Sequence, residues 1–192
     1  MPAGLLARLQ EDAEAEGATL TVVDPGSAHK RLVAIATASS RGQDLDPVSR
    51  AETRLWTRDA DSEVRDGVPA HAFPAAPRRQ AGWLPQRDFD LGRGLGLLAG
   101  DGPAAPVTAS LFTPGDGEQD WLRAGQALHR LLLRATSQWV FAGLNTQPLE
   151  DAATRARIKD ALVQPGWPQM LLQLGVSRTT HPTGRRPSAD SR

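Results

Sequence analysis

The sequence predicts an α+β fold, with short strands separated by helices and one long helix at the centre of the core. Three observations lead there. Short runs rich in β-branched and aliphatic residues stand at 19–23, 107–112 and 169–174, each closed by Gly or Pro. Between them lie stretches whose apolar residues recur every three to four positions. The longest of these, 118–141, carries Trp121, Gly125, Leu128, Leu132, Ala135 and Trp139 at steps of four and three, widened by Leu131, Leu133 and Val140. A helix apolar on more than one side is expected to be buried.

Taken in order, Leu5, Leu6, Leu9 and Ala13 mark a first helix, stopped at Gly17. Thr19-Leu20-Thr21-Val22-Val23 follows as a strand and ends in the turn Asp24-Pro25-Gly26. Ser27 suits the start of a second helix carrying Leu32, Val33, Ile35 and Ala36, and 47–58 a third with Leu55 and Trp56 as its apolar contacts. From 59 to 106 Pro and Gly interrupt every apolar cluster, a longer irregular stretch than a compact domain normally holds. Its apolar anchors Phe73, Trp83, Leu84 and Phe89 predict an ordered covering segment or lid. Regular structure returns with the strand at 107–112 and the long helix, which Gly143 is expected to end. A charged helix over 149–162 is placed outside the core, and Pro165-Gly166-Trp167-Pro168 separates it from the last strand. The organisation expected is an amino-terminal helix–strand part (1–58), a covering segment (59–106), a core (107–178) and an arginine-rich tail (179–192).

Composition excludes several function classes. The 192 residues hold 22 basic and 22 acidic side chains, a zero net charge that argues against a nucleic-acid binder. With no cysteine there is no disulfide, thiolate nucleophile or cysteine-ligated metal. No apolar run approaches the roughly 20 residues that span a bilayer, and the amino terminus lacks the pattern of a signal peptide. A soluble, cytoplasmic protein is expected, with no membrane and no nucleic-acid partner.

Motifs narrow the field further. Gly92-Arg93-Gly94-Leu95-Gly96 lacks the sixth-position glycine, which is Leu97, and the preceding strand of a dinucleotide-binding fingerprint. It reads as a flexible loop. His29, His71, His129 and His181 are scattered, so no metal site is expected, and His129 reads as a boundary histidine beside the long helix. No Gly-x-Ser-x-Gly elbow points to a hydrolase.

A set of ordered motifs is more informative. Thr113-Pro114-Gly115-Asp116, Asp120-Trp121-Leu122-Arg123-Ala124-Gly125-Gln126-Ala127-Leu128, Leu131-Leu132-Leu133-Arg134-Ala135-Thr136, Gln147-Pro148-Leu149-Glu150, Pro168-Gln169-Met170-Leu171-Leu172 and Gly184-Arg185-Arg186-Pro187 follow one another. Together they resemble the carboxyl-terminal motifs of the nitroreductase superfamily, in particular its Acg-like actinobacterial branch. Upstream, Trp56-Thr57 and Asp66-Gly67-Val68-Pro69 resemble the same branch.

The resemblance implies a nitroreductase-like fold, a mixed sheet with a long central buried helix, and FMN held between two related halves. It places Gln147, Pro148, Leu149 and Glu150 beside the flavin ring and Arg185 and Arg186 near the ribityl phosphate, where planar guanidinium donors suit a dianion. It implies hydride passing from NAD(P)H through flavin to a nitro or quinone-like acceptor, with no catalytic acid or base assigned, since the cofactor carries the hard chemistry. The branch's amino-terminal Asn-x-Gln-Pro-Trp-like motif and arginine-rich phosphate grip are not found in this sequence. The expectation is therefore an incomplete, truncated form, acting as a homodimer or with a partner supplying the other half. The alternative expectation is a non-catalytic remnant that sequesters flavin or binds a partner.

Overall fold

The computed structural model describes residues 1–64, 66–76, 82–97 and 106–176. Arg185 and Arg186, like His181, lie outside the described residues. The elements are α1 (Leu5–Ala15), β1 (Thr19–Val22), α2 (Ser27–Leu45), α3 (Pro47–Trp56), β2 (Thr57–Arg58), β3 (Val68–Pro69), a 3-10 turn (Ala70–Ala72), β4 (Val107–Thr113), α4 (Glu118–Ser137), β5 (Val140–Asn145), α5 (Gln147–Glu150), α6 (Ala152–Leu162) and β6 (Trp167–Val176). They fall into two compact units. The first draws on the described residues of Met1–Ser39, Ala81–Leu84 and Pro103–Arg178, the second on those of Ser40–Gln80 and Pro85–Gly102.

The first unit is a four-stranded sheet in the order β1-β4-β6-β5. Every pairing in it is antiparallel, with Leu20 opposite Leu111, Leu111 opposite Met170 and Leu144 opposite Leu172. The expected mixed sheet is thus antiparallel here. Among the described residues, parallel strand pairing is confined to the short β2–β3 ladder and an isolated bridge from Pro74 to Leu97, both in the second unit. Side chains of the central strands alternate between faces. Ala109, Leu111, Leu172 and Leu174 pack with Leu5, Leu9 and Ala13 of α1 and with Ala127, Leu131 and Ala135 of α4. Phe112 and Leu171 pack on the other face with Leu32 and Ala36 of α2, Leu149 of α5, and Ile158 and Leu162 of α6. Each fully buried leucine of these layers contributes about 1.5–3 kcal/mol relative to exposure.

A buried carboxylate ties α1 to α4. Asp12, only 3 % exposed, accepts hydrogen bonds from Arg130 Nε at 3.1 Å and Arg134 Nη2 at 2.8 Å, with a further contact from Arg134 Nε. The Arg134 hydrogen bonds, opposed by burial and reinforced by Arg130, hold the Asp12 carboxyl below its ordinary range.

The long helix differs from its expected form in two ways. It ends at Ser137, and Val140–Asn145 is a strand, so Gly143 lies in β5 and is no helix stop. Trp139 adopts the left-handed region (φ 57°), which breaks the helix, and Val140 onward pairs with β6. Sheet pairing overrides the helical spacing there. The buried stripe is also rotated, running through Ala124, Ala127, Leu131 and Ala135, while Trp121 and Trp139 are exposed. Their steps of three and four hold, but small residues face the sheet because they let the helix approach it closely.

Two further helices change character. The segment 149–162 is two helices, α5 and α6, divided at Asp151, and Leu149, Ile158, Ala161 and Leu162 are buried in the core where a peripheral position was expected. In the second unit, α3 starts as its sequence dictates, with Asp46 accepting the Ser49 N–H at 2.8 Å and Pro47 in the first turn. Its buried residue is Thr53, whereas Leu55 and Trp56, the expected contacts, are exposed. No described helix is long and apolar enough to cross a membrane.

Candidate functional site

Gln147–Glu150 forms α5, a single turn between the end of β5 and the start of α6. At one end Asn145 pairs with Leu171 of β6. At the other, Asp151 closes α5 and caps α6, its carboxylate accepting the Thr154 N–H at 2.7 Å. Pro148 and Leu149 are buried, Glu150 is exposed and Gln147 is partly so. The four residues thus divide into two buried anchors, a half-buried glutamine and an exposed glutamate. Among the described residues β5 is an edge strand of the sheet, and its Gly143 and Leu144 are exposed.

The motifs quoted around Asp116, Trp121 and Gln169 converge at one end of the sheet. Asp116 Oδ1 accepts from Trp121 Nε1 at 2.8 Å, Arg155 Nη2 at 2.7 Å and Gln169 Nε2 at 3.3 Å. Gln169 Nε2 also donates to Thr113 Oγ1 at 2.7 Å, and Thr113 Oγ1 donates to the Gly115 carbonyl at 2.9 Å. Arg155 completes the network through the Pro168 carbonyl at 3.0 Å and Gln169 Oε1 at 2.7 Å. Burial works against ionised Asp116, but the hydrogen bonds of Trp121 and Gln169 and the Arg155 guanidinium outweigh it and lower its pKa. Gly166 permits the close approach here: it has φ +90°, and a Cβ there would stand 2.3 Å from the Thr113 carbonyl oxygen.

Across the sheet, Thr108, Gln173 and Gly143 stand in one row of β4, β6 and β5. His29 of α2 hydrogen-bonds Thr108 Oγ1 at 3.2 Å. Gln173 Nε2 is buried and has no hydrogen-bond partner among the described residues. On the opposite side, Asp12, Glu16, Gln126, His129, Arg130 and Leu133 help line an open depression between α1 and α4, with His129 exposed. No group of three or more metal-ligating side chains occurs among the described residues.

In the second unit the glycine run is an ordered loop, contrary to the flexible one expected. Asp90 is fully buried, and its carboxylate accepts the backbone N–H groups of Gly94 at 2.7 Å, Leu95 at 2.7 Å and Gly96 at 3.0 Å. Burial alone would raise its pKa, yet the amides of Gly96, Gly94 and Leu95, joined by Arg93, lower it. Three amides that would face a phosphate in a nucleotide loop are therefore committed to Asp90. Arg93 donates to Thr57 Oγ1 at 2.8 Å and to the Phe89 carbonyl at 2.9 Å. The two upstream motifs also meet: Arg58 binds Asp66 at 2.7 Å, and Gly67 lies against the Trp56 carbonyl, where a Cβ would fall at 2.3 Å.

Sequence reading missed Arg155, Gln173 and Asp90 as organising residues. Asp90 had a local signal, a carboxylate just before a glycine-rich turn. Arg155 had none, because its partners lie 13 to 39 positions away.

A sheet covered by α1 and α4 on one face and by α2 and α6 on the other, with a short polar turn at the edge strand, defines a nitroreductase-like α+β fold. Among solved structures the chain is similar to a nitroreductase with bound FMN from Desulfitobacterium hafniense, with TM-score 0.56 and 14% identity, covering 100% of this chain and 87% of that one. It is also similar to an FMN and NADPH-dependent nitroreductase from a sphigopyxis strain, with TM-score 0.54 and 15% identity, covering 99% and 88%. In sequence it is 33% identical over 181 residues to a Mycobacterium tuberculosis protein named "Putative NAD(P)H nitroreductase", covering 91% of this chain and 49% of the relative. A second mycobacterial relative, named only as uncharacterized, is 27% identical over 189 residues, covering 93% and 52%. The chain spans about half the length of these curated relatives. No family model matches it. In fold the chain is nitroreductase-like, and in sequence it is similar to mycobacterial proteins of which one is named for nitroreductase activity.

Proposed function

We propose that this chain is an FMN-dependent oxidoreductase module of the nitroreductase type, taking hydride from NAD(P)H and delivering electrons to a nitro or quinone-like acceptor. The observation that carries it is the match to the mycobacterial relative named for this activity, spread over 91% of the chain. The local geometry supports the cofactor. Exposed Glu150 offers a carboxylate, and the exposed backbone of β5 at side-chain-free Gly143 leaves room for a planar ring. Gln173 Nε2, a buried donor without a partner among the described residues, lies in the strand beside Gly143 and matches the acceptor-rich character of a flavin.

When bound, FMN supplies the hydride-accepting and electron-donating chemistry. The chain's own residues bind and orient it. Pro148 and Leu149 fix the turn by burial, and the turn as a whole, Gln147 and Glu150 included, lies beside the ring. Arg185 and Arg186 are assigned to the ribityl phosphate, where guanidinium pairs with a dianion. The same proposal includes the Acg-like branch, a cytoplasmic location, and a second copy or partner chain supplying the facing half of the cofactor site.

The test is an FMN titration of the purified chain followed by NAD(P)H oxidation with a nitroaromatic acceptor. Yellow protein that turns over NAD(P)H, with binding lost in an Arg185→Ala, Arg186→Ala double variant, is the expected result. Bound FMN without turnover points to flavin sequestration instead. A folded chain that takes up no FMN, alone or co-expressed with a partner, overturns the reading.

A further inference from the structure

We propose that Arg155 is a positioning residue for the Gln147–Glu150 turn, an inference that deepens the cofactor reading above and rests on it. The turn is held at Leu149 by apolar packing with Ile158, Leu162, Leu171 and Phe112. Apolar contact is non-directional, so it fixes the depth of the turn better than its orientation. Orientation must come from the elements at either end. On the β5 side the chain is fixed by Asn145 pairing with Leu171. On the α6 side, Asp151, Ala152 and Ala153 are all exposed, and the buried residues of α6 begin only at Ile158.

The first turn of α6 therefore has no apolar anchor of its own. Arg155 provides the polar one. It is joined to the shared cap by its backbone N–H, which donates to the Asp151 carbonyl at 2.9 Å. Its side chain, 17 % exposed, spans the end of the sheet through the Pro168 carbonyl at 3.0 Å, Asp116 at 2.7 Å and Gln169 at 2.7 Å. Three bonds from one planar group define both the distance and the angle between α6 and the sheet. Because Asp151 ends α5 and begins α6, that angle passes directly to Glu150 and Gln147. A lysine keeps the charge at this position but cannot reproduce the fork, so it separates geometry from charge.

The experiment compares Arg155→Lys with Leu9→Ala, a core truncation in α1 on the opposite face of the sheet, chosen as a stability control. Two readouts are taken: FMN dissociation constant with the visible spectrum of the saturated protein, and amide hydrogen exchange of the cofactor-free protein. In Arg155→Lys, FMN binding is expected to weaken about tenfold, with the flavin spectrum shifted toward that of free FMN. Exchange at Leu149, whose N–H bonds the Thr146 carbonyl at 2.7 Å, should speed up while that at Ile158 stays protected. Leu9→Ala should lower the melting temperature yet leave the wild-type FMN affinity and spectrum in place. Wild-type exchange at Leu149 in Arg155→Lys, or FMN affinity that falls equally in both variants, overturns the positioning role. Wild-type protein that takes up no FMN defeats the cofactor reading and the role toward it, whereas wild-type binding with an unaltered Arg155→Lys defeats this inference alone.

Discussion

Replacing Asp90 with asparagine removes the charge at the centre of the 90–96 loop while preserving its size. In the native loop Oδ1 serves Leu95 and Gly96, and Oδ2 serves Gly94. Asparagine retains one acceptor oxygen. If it keeps the two Oδ1 bonds, its Nδ2 faces the Gly94 N–H, donor against donor. A hydrogen bond to a charged group contributes about 1.5–3 kcal/mol and a buried unsatisfied donor costs about 1–3 kcal/mol. Relief of carboxylate desolvation offsets part of this, so the net loss is about 3 kcal/mol. For a chain of this size each kcal/mol lowers the melting temperature by about 2–4 °C, giving a drop of roughly 6–12 °C.

The assay is urea denaturation followed by circular dichroism, with amide exchange at Gly94, Leu95 and Gly96 as a local readout of the second unit. The pH dependence has a definite sign. The folded pKa of Asp90 is lowered, so its stabilisation is present above the ordinary aspartate value of about 3.9 and is lost as pH falls through the folded value. The gap between wild type and variant should therefore close in acid. An Asp90→Asn protein with the wild-type midpoint and unchanged exchange at those amides would show that the loop does not depend on the carboxylate.

Three other outcomes are expected. Gly166→Ala places a Cβ against the Thr113 carbonyl at a left-handed φ and should cost at least about 2 kcal/mol, read as a lower denaturation midpoint; a neutral effect would refute the close approach. Asp12→Asn should destabilise the α1–α4 packing by about 1–2 kcal/mol at neutral pH. Because hydrogen bonds from Arg134, then Arg130, lower the Asp12 pKa, this difference too should vanish as pH falls through its folded value, and a pH-independent difference would argue against the ion pair. Leu149→Ala empties a core site under α5 and should cost about 2–4 kcal/mol in thermal melting, together with weaker FMN uptake; an unchanged melting temperature would place Leu149 outside the core.

The sequence by itself determined the α+β class, the existence of α1, β1, β4, α4 and β6, and the order of the family motifs. These follow from local information: the spacing of Leu5 and Leu9, the β-branched run at β1, and glycine or proline at the breaks. Tertiary structure decided where α4 stopped and which side of it faced inward. Val140 and Phe141 read as the end of the helix until β6 offers them a pairing partner, and Trp121 reads as core until Ala124 and Ala127 prove the closer fit to the sheet. It likewise drew α6 into the core, since a charged helix with only Ile158, Ala161 and Leu162 to bury has no signal strong enough to separate it from a surface helix. The candidate site was half legible. Gln147–Glu150 is a contiguous motif, but its division into buried Pro148 and Leu149, half-buried Gln147 and exposed Glu150 depends on what packs beneath it. Arg155, Asp116 and Gln169 meet only because β4, β6 and α6 end together, and hydrogen bonds between residues so far apart in sequence leave no periodicity to read.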